Sequence, residues 1–276
     1  MDDRRISRLG LGCSRIGSFN NPLPDRDALR LVQSALDMGV RVLDTANVYG
    51  QGDSERLIGR ALKGRRDDAF VVTKCGMSYS PRIWLLLPLK PLLRPLLRPL
   101  LARRRSGRGG AAADVVTAQR AAALRRSFAP AALTASLEGS LRRLGLEDVD
   151  ALLLHSPDAA ALADPAIAAT LARLKQAGRV RHFGVSCDDA DSLHAALAMP
   201  GLTMLQLPWP LVADGQANAL AERGLMVQVR EVIRLQPALA PEAAVAQALS
   251  TAGVGTVLVG THSQAHLSAL AAAAAR

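Results

Sequence analysis

The sequence predicts an α/β fold, a (β/α)8 TIM barrel built on a parallel sheet. Short apolar segments alternate with longer amphipathic segments, and this unit recurs eight times. The apolar segments are continuous, which is typical of strands that are buried on both faces of a parallel sheet. The chain has 276 residues, enough for eight such units and one extra segment.

The elements follow in order along the chain. The predicted strands are ISRLGLG, VRVLDTA, AFVVTK, VDALLLH, VRHFGVS, TMLQLPW, LMVQVRE and GTVLVG. The predicted helices after them are DRDALRLVQSALDMG, SERLIGRALKG, APAALTASLEGSLRRLGL, DPAIAATLARLKQAGR, DADSLHAALAMP, GQANALAERG, PEAAVAQALSTAG and SQAHLSALAAAAA. The first helix ends at Gly39, and the second begins with the capping residue Ser54 and ends at Gly64.

A doubly wound open sheet is the alternative fold. Such sheets usually carry a GxGxxG phosphate turn between the first strand and the first helix. In LGLGCSRIG the glycines lie inside the predicted strand, and no helix begins on them. We therefore expect residues 1–276 to form one barrel domain, interrupted between strand 3 and helix 3 by an insert at about 77–126.

The net charge of +10 belongs to that insert. Residues 82–126 carry 11 of the 34 Lys and Arg residues and one of the 24 acidic residues, which leaves 23 of each sign elsewhere. Aromatic residues make up 3% of the chain, too few for the stacking platforms of nucleic-acid binding, so no nucleic-acid partner is expected. The barrel itself is predicted to be neutral.

Cysteine usage and the N-terminus bear on the compartment. Cys13, Cys75 and Cys187 are far apart with no CxxC pair, which predicts neither a disulfide framework nor a metal site. The first residues, MDDRRISRLGLG, lack the apolar region of a signal peptide, and no apolar run of membrane-spanning length occurs. We expect a cytoplasmic protein, with Cys75 as a packing residue.

Four polar side chains fall at or just after the ends of three successive strands. Asp44 and Tyr49 follow strand 2, Lys74 ends strand 3 and His155 ends strand 4. Active sites of TIM barrels lie at the carboxyl ends of the strands. The phenol of tyrosine has a pKa of about 10, and a neighbouring ammonium is expected to lower it. With a carboxylate to hold the lysine and a histidine to orient a carbonyl, the set predicts a general acid that protonates an oxygen.

Several segments resemble the aldo-keto reductases, of bacterial type. They are LDTANVYGQGDSERLIGRAL, VVTK, SLRRLGLEDVDALLLH and HFGVS, within a similarity over most of residues 6–76 and 127–270. The resemblance implies NADPH or NADH as cofactor, Tyr49 as proton donor, Lys74 and Asp44 as its tuning pair, and His155 as the residue that orients the carbonyl. It implies NAD(P)H-dependent reduction of an aldehyde or ketone. The alternatives are an alcohol or sugar dehydrogenase working oxidatively, and a cofactor-binding regulatory subunit with little turnover.

The resemblance also assigns cofactor residues. It implies that Ser186 and Gln206 bind the carboxamide and that Trp209 stacks on the nicotinamide. Cys187 replaces an Asn that the family often has. The phosphate loop and the adjacent helix would comprise Gly260, Thr261, His262, Ser263 and His266, of which the last stands near a common family Arg. Arg230 and Arg234 are candidates to replace that charge.

The insert contains WLLLPLKPLLRPLLRPLLARRR, in which prolines recur every four residues and oppose a long regular helix. Three interpretations stay open: a lid over the site, a peripheral membrane contact through residues 82–110, and a disordered or oligomer-contact segment. A membrane contact favours a nonpolar carbonyl substrate. Residues 114–126 are expected to return to the barrel as a short helix.

Overall fold

A computed structural model describes residues 6–17, 23–79, 124–212 and 216–275. The barrel strands are β1 Leu9–Gly12, β2 Val42–Asp44, β3 Phe70–Cys75, β6 Val149–His155, β7 Val180–Ser186, β8 Met204–Pro208, β9 Met226–Arg230 and β10 Thr256–Val259. They form a closed barrel in the order β1-β10-β9-β8-β7-β6-β3-β2 with parallel pairing throughout. The predicted TIM barrel is confirmed.

Helices surround the barrel. They are α1 Asp25–Asp37, α2 Asp53–Ala61, α3 Pro130–Leu144, α4 Ala159–Leu162, α5 Pro165–Gln176, α6 Ala190–Leu197, α7 Gln216–Glu222, α8 Val232–Leu235, α9 Pro241–Ser250 and α10 Gln264–Ala274. Side-chain caps start several of them, such as Asp189 at α6, and Gly145 ends α3 in the left-handed conformation. Within the described ranges no helix is long and apolar enough to cross a membrane.

Alternation along each strand separates two environments. Leu11, Leu43 and Val71 belong to the large core cluster between strands and helices, with Leu152, Val185 and Leu205 of the later strands. A second, smaller cluster fills the barrel interior and comprises Val42, Phe70, Val72, Ala151, Leu153, Met204 and Leu258. Two positions further along four of these strands stand Asp44, Lys74, His155 and Gln206. Period-two geometry therefore puts these polar groups inside the barrel, above its apolar floor.

A two-stranded hairpin stands between β3 and α3. It pairs β4, Met77–Tyr79, with β5, Leu124–Arg126, in antiparallel register. The expected helix over residues 114–126 is wrong for Leu124–Arg126, because pairing with β4 satisfies these backbone groups and Leu124 packs beside Met77 and Tyr79. Residues 114–123, the remainder of that segment, lie outside the described residues. The same holds for residues 82–110, proposed as a membrane contact, and for most of the insert proposed as a lid or as a disordered or oligomer-contact segment.

Candidate active site

The four side chains predicted at the strand ends lie together at the carboxyl end of the barrel. Lys74 Nζ donates to Asp44 Oδ1 at 2.6 Å and to the Tyr49 hydroxyl oxygen at 3.3 Å. A third bond runs from Lys74 Nζ to the carbonyl of Thr45 at 3.1 Å. The Tyr49 and His155 rings meet edge to face, with centroids 5.7 Å apart and an interplanar angle of 86°. The ammonium thus has three oxygen partners, and the phenol lies between it and the imidazole.

Glycines set the path of the loop that carries Tyr49. The chain turns through a 3-10 segment, Tyr49–Gly52, in which Gly50 has a φ of 57° and Gly52 a φ of 90°. A Cβ atom added to Gly50 would lie 2.8 Å from the carbonyl oxygen of Ile16. Glycine is therefore required at this close approach. The turn starts α2 and directs the Tyr49 ring toward Lys74.

Lys74 stays protonated although it is buried. Lys74 is 1% exposed, and burial by itself lowers the pKa of its ammonium group. The carboxylate of Asp44 and the hydroxyl of Tyr49 raise it by more, so the pKa ends above its ordinary value. Asp44 is 5% exposed, and the pair is therefore a buried ion pair whose members need each other.

The pKa of Tyr49 differs from the sequence prediction. Burial of the phenol raises its pKa above the ordinary value, and this exceeds the opposing influence of Lys74. The expectation that the lysine would produce a net lowering is wrong, because desolvation disfavours the phenolate more than the ammonium stabilises it. Tyr49 consequently carries its proton at neutral pH, which is the form a proton donor needs.

His155 is a neutral imidazole. Burial lowers its pKa well below 6.5, and the positive charges of Lys74, Arg230 and Arg126 lower it further. Its Nδ1 atom is buried and has no hydrogen-bond partner among the described residues. A neutral imidazole has one N–H that donates a hydrogen bond and one ring nitrogen that accepts one. Next to the Tyr49 hydroxyl it can therefore donate to an incoming oxygen while carrying no charge itself.

A chain of polar side chains extends from Asp44 across the barrel. Ser186 Oγ donates to Gln206 Oε1 at 3.0 Å, and Gln206 Nε2 donates to Asp44 Oδ1 at 2.8 Å and to Gln228 Oε1 at 3.3 Å. Ser186, Gln206 and Gln228 are at most 2% exposed. Because Asp44 and Gln228 both present acceptors, they orient the Gln206 amide nitrogen toward them. Gln228 was not predicted as a site residue, although its inward position follows from the alternation of side chains along MVQVR.

Trp209 and the cysteines are packed. Trp209 begins the 3-10 turn Trp209–Leu211 after β8, is 9% exposed and belongs to the large core cluster. Burial raises the pKa of the Cys75 and Cys187 thiols to about 12, and it also raises that of Cys13. Thiols held in the protonated form are weak nucleophiles, in agreement with the packing role expected for Cys75.

The loop after β10 leads into the start of α10. It comprises Gly260, Thr261, His262 and Ser263. Ser263 caps the helix by accepting from the His266 N–H at 3.3 Å, and its own N–H donates to Thr261 Oγ1 at 3.1 Å. Within the described ranges the N–H groups of Gln264 and Ala265 have no acceptor, and the first turn holds no acidic residue. Such a helix start is suited to an anion.

Arg230 and Arg234 are already engaged by acidic groups. Arg230 forms ion pairs with Asp188 and Glu231 and donates to the carbonyl of Cys187 at 2.9 Å. Arg234 pairs with Glu231 as well. Arg230 thereby ties the end of β9 to the loop after β7. Carboxylates thus already balance the positive charges of Arg230 and Arg234, the two candidates to bind a 2′-phosphate.

Comparison with known proteins agrees with this architecture. The model of the "Aldo/keto reductase family" matches residues 8–226. The chain belongs to the aldo/keto reductase family. The resemblance to this family that the sequence motifs indicated is confirmed.

Among curated relatives of this aldo/keto reductase is the NADH-specific methylglyoxal reductase of Escherichia coli K12, 27% identical over 238 residues. Another is "Probable aldo-keto reductase 1" of Glycine max, 25% identical over 208 residues. The matches cover 82% and 75% of this chain, but only 64% and 49% of those proteins. The solved structure of aldo-keto reductase AKR11C1 from Bacillus halodurans (holo form) superposes with a TM-score of 0.72 at 22% identity, covering 97% of this chain and 86% of that one, and it shows the shared fold.

Two supports of this aldo/keto reductase site were not anticipated. Glu55, fully buried in α2, accepts from Thr73 Oγ1 at 2.7 Å and from Arg143 Nε at 2.6 Å, which anchors β3 one residue before Lys74. An acidic residue in the first turn of α2 was visible in SERLIGRAL, but its partner on α3 lies 88 residues away. No feature of the sequence near Glu55 therefore indicated its pairing with Arg143.

The second support is the hairpin. Asn47 Nδ2 donates to the carbonyl of Met77 at 2.7 Å, and the Tyr79 hydroxyl donates to the carbonyl of Val48 at 3.2 Å. Ala46, Val48 and Met77 form an apolar cluster against which Tyr49, Tyr79 and Leu124 pack. The hairpin thus packs against the loop that carries Tyr49 and fixes its position.

Proposed function

We propose that this chain catalyses the NAD(P)H-dependent reduction of an aldehyde or ketone to an alcohol, with Tyr49 as the proton donor. The observation that carries the proposal is the Tyr49 hydroxyl, protonated, 3.3 Å from the Lys74 ammonium and edge-on to the neutral His155 ring. Three groups then converge where a carbonyl oxygen would gain negative charge. A relative named as a methylglyoxal reductase is consistent with a small carbonyl substrate.

Each residue has one role in the proposed step. His155 donates a hydrogen bond to the carbonyl oxygen and orients it toward Tyr49. The Tyr49 proton passes to that oxygen as the bond polarises, and the Lys74 ammonium stabilises the phenolate that is left. Asp44 keeps Lys74 charged and fixed in place. The lysine therefore assists catalysis by stabilising the product of proton transfer, although it does not lower the resting pKa of the tyrosine below normal.

The donor set fits a nicotinamide dinucleotide. Ser186 and Gln206, which are hydrogen-bonded to each other, would bind the carboxamide, and the Trp209 indole, which is 9% exposed, would stack on the nicotinamide at the same end. The N–H groups of Gln264 and Ala265, which have no acceptor within the described ranges, would hold phosphate together with the loop 260–263. When bound, the reduced nicotinamide supplies the hydride.

NADPH and NADH are both candidates. His266, exposed in the first turn of α10, is a weaker and pH-dependent partner for a 2′-phosphate than the arginine of many family members. Arg230 and Arg234 are already paired with carboxylates. The E. coli relative is named as NADH-specific.

The test titrates NADPH and NADH by fluorescence and then measures reduction of an aldehyde panel. Tyr49→Phe is expected to keep cofactor affinity and to lose kcat by about 10²–10⁴-fold, the usual contribution of a positioned acid. Unchanged turnover in Tyr49→Phe would refute the donor role. Loss of cofactor binding together with turnover would instead show a folding defect, which circular dichroism and the thermal midpoint would report.

Two other functions use the same residues. As an alcohol or sugar dehydrogenase, the site would run in reverse, with the phenolate of Tyr49 accepting the proton; assays with alcohols and oxidised cofactor decide this. A regulatory subunit would bind cofactor tightly and turn over no carbonyl even as wild type. The protonated phenol placed against Lys74 and His155 favours an enzyme, because binding alone does not need a proton donor.

A peripheral membrane contact through residues 82–110, with a nonpolar substrate drawn from the lipid, remains a proposal from sequence. It is tested by flotation with anionic vesicles of the full chain and of a chain lacking residues 82–110. Equal, negligible binding by both would exclude it.

A further inference from the structure

Arg126 stands at the mouth of the barrel, above His155. Cys75 of β3 pairs with Leu154 of β6, so the next residue along β3 lies beside His155. That residue is Gly76, whose carbonyl accepts from the N–H of Ser127 at 2.9 Å. Arg126 directly precedes Ser127, and the hairpin therefore holds its backbone just beyond the strand ends that carry the site.

The side chain of Arg126 belongs to the face of the hairpin that covers the Tyr49 loop. Arg126 is directly opposite Met77 in the antiparallel pair, and residues that face each other there project to the same side. Met77 packs on the apolar cluster with Tyr49. Arg125 pairs with Ser78 and so projects to the other side. Two adjacent, exposed arginines thus point in opposite directions.

Among the described residues, Arg126 and Arg230 differ in whether a carboxylate balances their charge. Arg230 is held by Asp188 and Glu231. Across the described parts of the chain, Arg126 has no carboxylate within ion-pair distance. Its positive charge nevertheless reaches the site, because it contributes to the lowering of the His155 pKa. A guanidinium on this face of the hairpin, with no carboxylate partner among the described residues, is available to a ligand anion.

We propose that Arg126 binds an anionic substituent, a carboxylate or a phosphate, on the carbonyl substrate. The guanidinium presents paired N–H donors that match either group, and carbonyl reduction at Tyr49 would proceed beside it. This inference rests on the proposed function for the identity of the reacting group. It predicts a preference for anionic carbonyl compounds, in contrast to the nonpolar substrate suggested by residues 82–110.

The kinetic test compares 4-formylbenzoate, 4-formylphenyl phosphate and neutral benzaldehyde. Arg126→Met is expected to lower kcat/KM about tenfold for the anionic aldehydes, as for the loss of one charged hydrogen-bonded pair, and less than about twofold for benzaldehyde. Arg125→Met is the matched control and should leave all three values near wild type. The two anionic aldehydes separate a carboxylate preference from a phosphate preference. An equal loss for neutral and anionic aldehydes, or no loss, would overturn the proposal.

A binding measurement separates this proposal from the proposed function. Benzoate, phenyl phosphate and benzyl alcohol are titrated into wild type, Arg126→Met and Arg125→Met by calorimetry or ligand NMR. Weaker anion binding in Arg126→Met alone would support the site even if the wild type reduced no aldehyde, and only the proposed reaction would then fail. Anion binding that is absent in wild type, or equal in both variants, contradicts the Arg126 site whatever the turnover.

Discussion

Gln206 and Lys74 share a single atom of Asp44. Gln206 Nε2 donates to Asp44 Oδ1 at 2.8 Å, and Lys74 Nζ donates to the same oxygen at 2.6 Å. One carboxylate oxygen thus joins the residue proposed to hold the carboxamide to the residue that contacts the Tyr49 hydroxyl. A change at Gln206 is therefore expected to alter the position of Lys74 and, through it, of the Tyr49 hydroxyl.

Gln206→Met removes the amide without a large change of volume. We expect it to weaken cofactor binding and to lower kcat, each about tenfold, because both the carboxamide contact and the second donor to Asp44 are lost. Gln228→Met is the control, since Gln228 contacts Gln206 but not Asp44. Fluorescence titration and steady-state rates measure the two effects. Equal losses of cofactor affinity and kcat in Gln206→Met and Gln228→Met would argue against coupling through Asp44 Oδ1.

Tyr79→Phe removes the hydroxyl that donates to the Val48 carbonyl, one residue before Tyr49. We expect kcat to fall about fivefold, the equivalent of one neutral hydrogen bond, with little change in cofactor affinity. Thr134→Val removes a side-chain bond to the Pro130 carbonyl on the exposed part of α3 and serves as control. A kcat equal to wild type in Tyr79→Phe would mean that the hairpin does not position Tyr49.

The buried imidazole of His155 predicts a pH dependence of stability. Its pKa in the folded state lies well below 6.5, whereas in the unfolded chain it is about 6.5. The unfolded state therefore binds a proton first as the pH falls, and the free energy of unfolding decreases below pH ~6.5 by at most about 1.4 kcal/mol per pH unit from this residue. Above that pH the contribution is constant.

Urea unfolding between pH 7.5 and 5 measures this dependence. His155→Asn should flatten the decrease, while substitution of His194, which is exposed on α6, should not. Parallel curves for wild type and His155→Asn would contradict the neutral, buried state of the ring.

Removing one partner of the buried Glu55–Arg143 ion pair is expected to lower the free energy of unfolding strongly. Arg143→Met leaves the fully buried Glu55 carboxylate without its cation, which is expected to cost about 3–5 kcal/mol of unfolding free energy. The double variant Glu55→Gln/Arg143→Met should recover most of this, because Gln still accepts from Thr73. Arg142→Met, on an exposed neighbouring position of α3, should change stability by less than about 0.5 kcal/mol. Denaturant unfolding gives all three values.

Sequence patterns were sufficient for the barrel and for the grouping of Asp44, Tyr49, Lys74 and His155. Each of these residues ends or directly follows a recognisable strand, and neighbouring parallel strands bring their ends together. The β4–β5 hairpin was not predictable, since Met77 and Arg126 are separated by a long segment of unrelated composition and neither strand has more than three residues. Short strands carry almost no periodic signal.

The direction of the Tyr49 pKa was not predictable for a different reason. It is the difference between desolvation and the charge of Lys74, and the sequence shows the charge but not the depth of burial. Glu55 and Gln228 were missed because their importance comes from partners on other elements.

The direct pairing of Tyr79 with Leu124 has a consequence for how this barrel can vary. The chain departs and returns one strand-width apart, about 5 Å. Because β4 and β5 hold these two residues together, a longer or shorter segment between them is expected to leave the spacing of β3 and α3 unchanged. This position is therefore suited to exchanging the segment between Tyr79 and Leu124 while Asp44, Tyr49, Lys74 and His155 keep their geometry.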